Sequence, residues 1–171
     1  MTAMSYVTHA EVTLAIAREP HPARRLLVAF LWRTGCRLSE ALAVRSGDVD
    51  QHLGLVRVVT LKRRAPMSRA LPLPAAMLRD LKASGDRPFP WTARVAYGHV
   101  RKALERAGIW DGRAHPHALR HGHAIHALRE VGAPLDVVSR ALGHANVQTT
   151  STYLRATADD IRRFYGDGSA W

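Results

Sequence analysis

The sequence predicts a mainly α-helical domain with one small antiparallel β-hairpin, an α+β fold. Apolar residues recur every three or four positions through most of the chain, which is typical of helices that bury one face. The period changes to two, with β-branched residues, around residues 55–73. With 171 residues and 47% hydrophobic content, the chain is long enough for one domain with a substantial core.

Capping signals delimit three helices in the first part of the chain. Thr8 and Glu11 have the spacing of a capping box, so the first helix starts after Thr8 and runs to about Glu19. The second spans residues 22–35, because a proline opens it and a glycine closes it. Its core-facing residues are Leu26, Leu27, Phe30 and Leu31. The third helix is short and covers residues 38–44.

A hairpin and further helices follow. Residues 55–61 and 68–73 form two strands, joined by a loop over 62–67 in which Pro66 excludes a tight two-residue turn. Helices are then predicted over residues 74–84, 92–107, 117–131 and 134–142, with a last helical stretch over 147–154. Each of the first four stops at a glycine, namely Gly85, Gly108, Gly132 and Gly143.

The charge balance favours a polyanionic partner. The 25 Lys and Arg residues against 14 Asp and Glu residues give a net charge of +11. Nucleic acid fits this excess, because bound cationic side chains release phosphate counterions, although a basic but merely solvated surface is the alternative. The single Cys excludes internal disulfides, and the apolar run over residues 26–32 is too short to span a membrane. We therefore expect a cytoplasmic, nucleoid-associated protein that contacts no membrane.

Five side chains suit attack on a phosphodiester. His117 and Arg120 are three residues apart on a predicted helix, so they share a face, and an Arg fork matches two phosphate oxygens. The alternative is a helix that only binds a nucleic-acid backbone. His144 and Tyr153 follow nine residues apart. A tyrosine with a free pKa of about 10 needs cationic neighbours to become a nucleophile, and Arg37 would be another of them.

These segments resemble the catalytic domain of the tyrosine recombinase (phage integrase) family. The matching motifs are T-G-C-R-L-S-E-A-L over residues 34–42, a lysine in the hairpin, H-A-L-R-H over residues 117–121, L-G-H over residues 142–144 and a final tyrosine. They occur in the family's order and cover about residues 7–155. The resemblance implies that family's catalytic-domain fold.

The resemblance also implies a role for each residue of the phosphate site. Arg37 and Arg120 would clamp the scissile phosphate and stabilise its transition state. Tyr153 would attack and form a 3′-phosphotyrosine. His117 would accept the proton of Tyr153, and His144 would hydrogen-bond the phosphate.

The hairpin and the supporting residues are assigned in the same way. Lys62 would protonate the departing 5′-oxygen, since lysine can give up a proton whereas arginine does so with difficulty. The alternative for Lys62 is simple DNA contact, the role expected of Arg63 and Arg64. Glu40 and His121 are expected to support the site without taking part in the chemistry.

The implied function is site-specific DNA recombination without metal, ATP or another cofactor. Its implied partners are double-stranded DNA and further copies of the chain, as a dimer or tetramer on DNA. Two alternatives stay open: a non-catalytic DNA-binding protein on the same scaffold, and a nicking-closing activity like that of type IB topoisomerases.

Two competing sites receive less support. The histidines that suggest a metal cluster are His115, His117, His121, His123 and His126. We expect no carboxylate or Cys to accompany them at ligand spacing, and helical spacing spreads the histidines around the helix, so no metal is expected. Cys36 is interpreted as a small buried hydrophobe rather than a nucleophile.

The chain also departs from the family pattern. It is interpreted as a single catalytic domain over residues 1–171 without an N-terminal core-binding domain, similar in size to fimbrial-type invertases. The hairpin lacks the usual glycine-containing turn. The tail over residues 156–171 carries Ile161, Phe164 and Tyr165, which would dock on a neighbouring protomer or pack on their own domain.

Overall fold

A computed structural model describes residues 6–60 and 67–143. Within them it has seven α-helices: α1 (His9–Arg18), α2 (Pro22–Thr34), α3 (Leu38–Ala43), α4 (Ala75–Ala83), α5 (Ala93–Arg106), α6 (Pro116–Ile125) and α7 (Leu135–Leu142). Three strands accompany them: β1 (Val49–Asp50), β2 (Leu55–Thr60) and β3 (Met67–Pro72). A 3₁₀ turn covers Ser46–Asp48, and a π-helical segment covers His126–Glu130. The predicted fold class is confirmed.

The ends of the early helices follow the predicted signals. The Thr8 backbone N–H donates to Glu11 Oε2 at 2.8 Å, and the Glu11 N–H donates back to Thr8 Oγ1 at 3.3 Å. This reciprocal capping box opens α1. Gly35 ends α2 with a φ of 59°, in the left-handed region that glycine adopts without a steric penalty.

The sheet confirms the hairpin and adds a strand. The strand order is β1-β2-β3, and both pairings are antiparallel. The β2–β3 register runs from Leu55 opposite Pro72 to Thr60 opposite Met67. The sequence analysis did not predict β1, because a two-residue strand is too short to show a period and exists only through its pairing with β2.

The core forms around α2, which packs against α1, α5 and α6, while α3 packs on β2 and α7 packs on β3. The predicted core-facing run of α2 is confirmed, since each of its four residues is at most 9% exposed: Leu26, Leu27, Phe30 and Leu31. None of the helices in the described ranges is long and apolar enough to cross a bilayer.

The helix predicted over residues 117–131 differs at both ends. It begins at Pro116, and His115 acts as N-cap because its Nδ1 accepts a hydrogen bond from the Ala118 N–H at 3.1 Å. At Ile125 the α-helical pattern gives way to the π-helical segment. The predicted helix therefore continues past residue 125, but with π-helical hydrogen bonds, which the sequence analysis did not predict. A change of hydrogen-bond spacing inside a helix leaves no clear apolar period.

Gly122 allows α6 to approach the segment before α1. The Val7 N–H donates to the Ala118 carbonyl at 3.2 Å, which holds that segment along the helix. A Cβ at Gly122 would lie 1.9 Å from the Val7 carbonyl oxygen and 2.9 Å from the Trp32 ring. Only a residue without a side chain therefore fits here.

We predict that Gly122→Ala destabilises the fold by about 1 to 3 kcal/mol or more, because the new methyl overpacks the contact with Val7. Gly98→Ala is the matched control, since Gly98 lies within α5 and a Cβ there would meet nothing within 4 Å. Alanine at that position should raise stability by up to about 1 kcal/mol through helix propensity. Urea unfolding of both variants measures the difference, and equal stabilities would contradict the proposed close approach.

Candidate active site

Arg37 and Glu40 form an ion pair at the start of α3. Arg37 is the residue before the first turn, and its backbone N–H donates to Glu40 Oε2 at 3.0 Å. Its guanidinium Nη1 donates to Glu40 Oε1 at 3.1 Å. The Glu40 side chain is 1% exposed, whereas that of Arg37 is 28% exposed. The buried Glu40 therefore orients the Arg37 side chain and leaves it accessible to a ligand.

A residue that the sequence analysis missed, Arg69 on β3, completes this arrangement. Its Nη2 donates to Glu40 Oε2 at 2.7 Å, and its Nη1 donates to Thr60 Oγ1 at 2.9 Å. Its Nε donates to the Ala141 carbonyl at 2.6 Å. One guanidinium therefore joins α3, the end of β2 and the end of α7.

Two sequence signals could have indicated Arg69. Strand periodicity places it on the same face as the buried Leu71, so a charged side chain points toward the core. A buried charge needs a partner, and Glu40 is a carboxylate in a motif already assigned to the site. The pairing itself could not be predicted, because Arg69 and Glu40 are 29 positions apart and no local pattern connects them.

The two arginines keep Glu40 ionised. Burial alone would raise the pKa of Glu40, but the hydrogen bonds from Arg69 and from the Arg37 backbone, together with both positive charges, lower it below the ordinary value of 4.5. The carboxylate is therefore a permanent negative charge at neutral pH. Its single negative charge is shared by the two guanidinium groups that it contacts.

Arg120 forms the second connection. Its side chain is buried, with the residue only 6% exposed. Nη1 donates to the Gly35 carbonyl at 2.7 Å, and Nη2 donates to the Leu142 carbonyl at 3.0 Å. The first carbonyl lies two residues before Arg37 and the second lies two residues before His144. A guanidinium held in this way has a fixed plane, which is what bidentate recognition of a phosphate needs.

The histidines of α6 differ in their surroundings. His117 is exposed in the first turn, where helical N–H groups lack partners within the helix and the dipole favours anions. His121 is half-buried, and burial followed by the charges of His117, His115 and Arg120 lowers its pKa. The reacting role expected of His117 and the supporting role expected of His121 stay predictions.

Cys36, between the Gly35 turn and Arg37, is 2% exposed. Burial raises the pKa of its thiol to about 11, so the thiolate is not available at neutral pH. The interpretation of Cys36 as a buried residue is confirmed.

The other expected site residues lie outside the described residues: Lys62, Arg63, Arg64, His144 and Tyr153. The flanking elements are described. β2 ends at Thr60 and β3 begins at Met67, while α7 ends at Leu142 with Gly143 in a left-handed conformation. A Cβ on Gly143 would lie 2.8 Å from Arg69 Nη1, so the residue before His144 lies against this guanidinium.

The argument against a metal cluster needs one correction. Glu130 lies four residues after His126, and its Oε2 is 2.7 Å from His126 Nδ1. A carboxylate therefore accompanies this histidine at ligand spacing, contrary to the sequence analysis. His123, by contrast, is largely buried, and burial lowers its pKa to about 4.

Comparison with known proteins identifies the family. The profile of the phage integrase family matches residues 7–159. The chain belongs to the phage integrase family. Tyrosine recombinase XerD of Corynebacterium glutamicum is 32% identical over 178 residues, covering 91% of this chain and 58% of the relative. Tyrosine recombinase XerA of Thermococcus onnurineus is 28% identical over 155 residues, covering 81% of this chain and 53% of the relative. The chain thus spans about half the length of these family members.

Solved structures support the fold. A crystal structure of XerA recombinase matches with a TM-score of 0.78 and 23% identity, covering all of this chain (100%) and 65% of that one. The catalytic domain of bacteriophage HP1 integrase matches with a TM-score of 0.72 and 20% identity, covering 98% of each chain. The described helices and small sheet are therefore the catalytic-domain fold of the phage integrase family.

We predict that Glu40→Gln lowers the free energy of unfolding at pH 7 by about 3 to 5 kcal/mol, because two arginines lose their buried counter-charge. The folded-state pKa of Glu40 lies below the ordinary 4.5. The stabilisation by the Glu40 carboxylate is therefore complete above the ordinary pKa of 4.5, and it is lost as the pH falls through the lower folded-state pKa. Chemical denaturation at several pH values should show the gap between wild type and variant narrowing in acid.

Asp136→Asn is the matched control, because Asp136 pairs with Arg140 at 3.4 Å on the surface, with side chains 54% and 83% exposed. Its effect should stay below about 1 kcal/mol. A Glu40→Gln variant that matched this control at every pH would contradict the role of Glu40 as a buried counter-charge.

Proposed function

We propose that the chain carries the strand-cleaving and strand-joining activity of a site-specific DNA recombinase, acting through a 3′-phosphotyrosine on Tyr153. The observation that carries the proposal is the buried Arg120 guanidinium. It binds the carbonyls of Gly35 and Leu142, which lie next to the segments of Arg37 and His144. Segments far apart in sequence thus meet at one phosphate-binding cation.

Charge placement supports phosphate binding at this point. Arg37 is partly exposed, whereas its partner Glu40 is buried. Arg120 is also buried, and it donates to the carbonyl of Gly35, two residues before Arg37. Glu40 accepts hydrogen bonds from both Arg37 and Arg69, so these cations are held in place without a bound ligand. Cations fixed before the substrate arrives need little reorganisation as charge develops on the phosphate, which is the usual source of large rate effects.

The chemical step conserves the phosphodiester bond energy. The Tyr153 oxygen bonds to the phosphorus while the bond between phosphorus and the 5′-oxygen breaks. His117 accepts the tyrosine proton, and Lys62 gives a proton to the departing 5′-oxygen. A 5′-hydroxyl from a second strand then attacks the phosphotyrosine, and the protons move in reverse. The reaction therefore needs no external energy source.

Double-stranded DNA is the proposed partner, with several copies of the chain assembling on it. The net charge of +11 suits a polyanion. The solved structures that resemble this chain include XerH recombinase bound to a difH substrate and a lambda integrase dimer bound to a core site. Arg63 and Arg64 would then contact the DNA backbone beside Lys62.

Two other activities are compatible with the scaffold. A nicking-closing activity would use the same tyrosine chemistry without partner exchange, and it would relax supercoiled plasmid that carries no specific site. A non-catalytic DNA-binding protein would bind DNA and form no covalent adduct. The fixed Arg120 favours the enzyme, because simple backbone contact does not require a buried guanidinium.

We predict a covalent protein–DNA adduct that depends on Tyr153. The probe is a pool of duplexes with randomised sequence around a single nick, which lets the short cleaved strand diffuse away and traps the intermediate. Adducts are resolved on a denaturing gel, and their DNA is sequenced to define the preferred site. Tyr153→Phe should abolish the adduct, because the nucleophilic oxygen is absent.

Tyr97→Phe is the matched control, since Tyr97 is 45% exposed on α5, and it should form adducts like the wild type. Absence of adducts with the wild type, or their persistence in Tyr153→Phe, would contradict the mechanism. DNA binding without adducts would favour the non-catalytic alternative.

We also predict that Lys62→Ala slows cleavage of the selected sequence by about 10²- to 10⁴-fold, the usual effect of losing a general acid. A substrate with sulfur in place of the bridging 5′-oxygen should restore most of the rate. Thiols have a pKa of about 8.5, so the thiolate leaves without protonation. Lys102→Ala, on the exposed side of α5, should cleave both substrates like wild type. Equal losses on both substrates would assign Lys62 to DNA contact.

A further inference from the structure

Three side chains of metal-ligand type meet where α1 begins beside the π-helical segment. One ligand atom from each of His9, His126 and Glu130 lies within 4.8 Å of the other two. His126 Nδ1 is 2.7 Å from Glu130 Oε2, and the two imidazole ring centres are 4.5 Å apart. We propose that His9, His126 and Glu130 bind a divalent transition-metal ion of the zinc class.

The donor set and the spacing suit this ion. Two imidazoles and one carboxylate are a known combination for zinc, with the fourth position left to water. Ligands at 2.0–2.1 Å from a tetrahedral ion lie about 3.3 Å from one another. The ligand atoms, all within 4.8 Å, reach that spacing by small side-chain rotations, because His9 and Glu130 are exposed and His126 is partly exposed. Mg²⁺ does not fit, since it prefers six oxygen ligands.

The buried ring of Trp32 organises the two histidines. The His9 ring stacks on the Trp32 ring at 5.9 Å with an interplanar angle of 3°. The His126 ring lies 5.8 Å from the same indole, which is 6% exposed. Within the π-helical segment Glu130 follows His126 by four residues, and the two side chains lie on the same side. Short π-helical insertions cost stability and occur often at functional sites.

The site is separate from the proposed active site. His126 follows His117 by nine residues, which corresponds to roughly 13 to 14 Å along a helix at 1.5 Å per residue. The proposed phosphoryl transfer requires no metal, so the cluster has no role in it. A bound ion would instead link α1 to the segment after α6. The Val7 N–H already donates to the Ala118 carbonyl near the start of α6, so the ion would add a second link from α1 to the residues just after the end of α6.

The test is a metal titration of tag-free, chelator-treated full-length protein, because a histidine tag would bind the same ions. Isothermal titration calorimetry with Zn²⁺ should give one ion per chain at this site, and Mg²⁺ should give no heat. Zn²⁺ should raise the melting temperature, since a ligand specific for the folded state stabilises it. Cu²⁺ should quench tryptophan fluorescence through its proximity to Trp32.

The variants His9→Ala and Glu130→Gln decide whether these residues are the ligands. Each should weaken Zn²⁺ binding by at least roughly tenfold, since even lost outer-sphere partners cost 10- to 100-fold. Each should also remove the thermal shift and the Cu²⁺ quenching. His52→Ala is the matched control, because His52 is an exposed histidine outside the cluster, and it should behave like the wild type.

Unchanged Zn²⁺ affinity in His9→Ala and Glu130→Gln, or no binding to the wild type, would overturn the proposal and leave the cluster as an ion pair with ring stacking. Melting curves without metal confirm that each variant is folded. The measurements use no DNA, so their failure is distinct from a failure of the recombinase proposal.

Discussion

The ion pair between Glu40 and Arg69 is the interaction on which the candidate site depends. A carboxylate that is 1% exposed is stable only when cations and hydrogen bonds replace its lost hydration, and Arg69 supplies the shortest of these contacts at 2.7 Å. The same guanidinium binds Thr60 and the Ala141 carbonyl. Three elements are therefore positioned by one planar group, and the orientation of Arg37 follows from the carboxylate that the group holds.

Arg120 acts in parallel through backbone carbonyls. It binds Gly35 and Leu142, so the turn before Arg37 and the end of α7 approach each other across α6. Arg120 donates to two backbone carbonyls, whereas Arg37 and Arg69 share the negative charge of Glu40. Two guanidinium groups share one carboxylate, so these three side chains together carry one net positive charge. Burial of Cys36 beside them excludes a competing thiolate nucleophile at neutral pH.

Much of the fold could be predicted because its signals are local. The capping box of Thr8 and Glu11, the glycine after α2, and the period change at β2 depend on residues within a few positions of one another. The errors arose where local signals were absent. β1 exists only through pairing, His115 is an uncommon type of cap, and the change to π-helical hydrogen bonding after Ile125 leaves no period.

The sequence by itself determined the family, the helical character and the identity of the residues suited to phosphate chemistry, because motif order and capping are readable along the chain. Only the tertiary structure decided that Arg69 belongs to the site and that the buried Arg120 links the carbonyls of Gly35 and Leu142. It also brought His9 against His126 and Glu130. The physical reason is distance in sequence: Arg69 meets Ala141 across 72 positions, and Arg120 meets Gly35 across 85. Such hydrogen bonds form only once the core has set the positions of the helices.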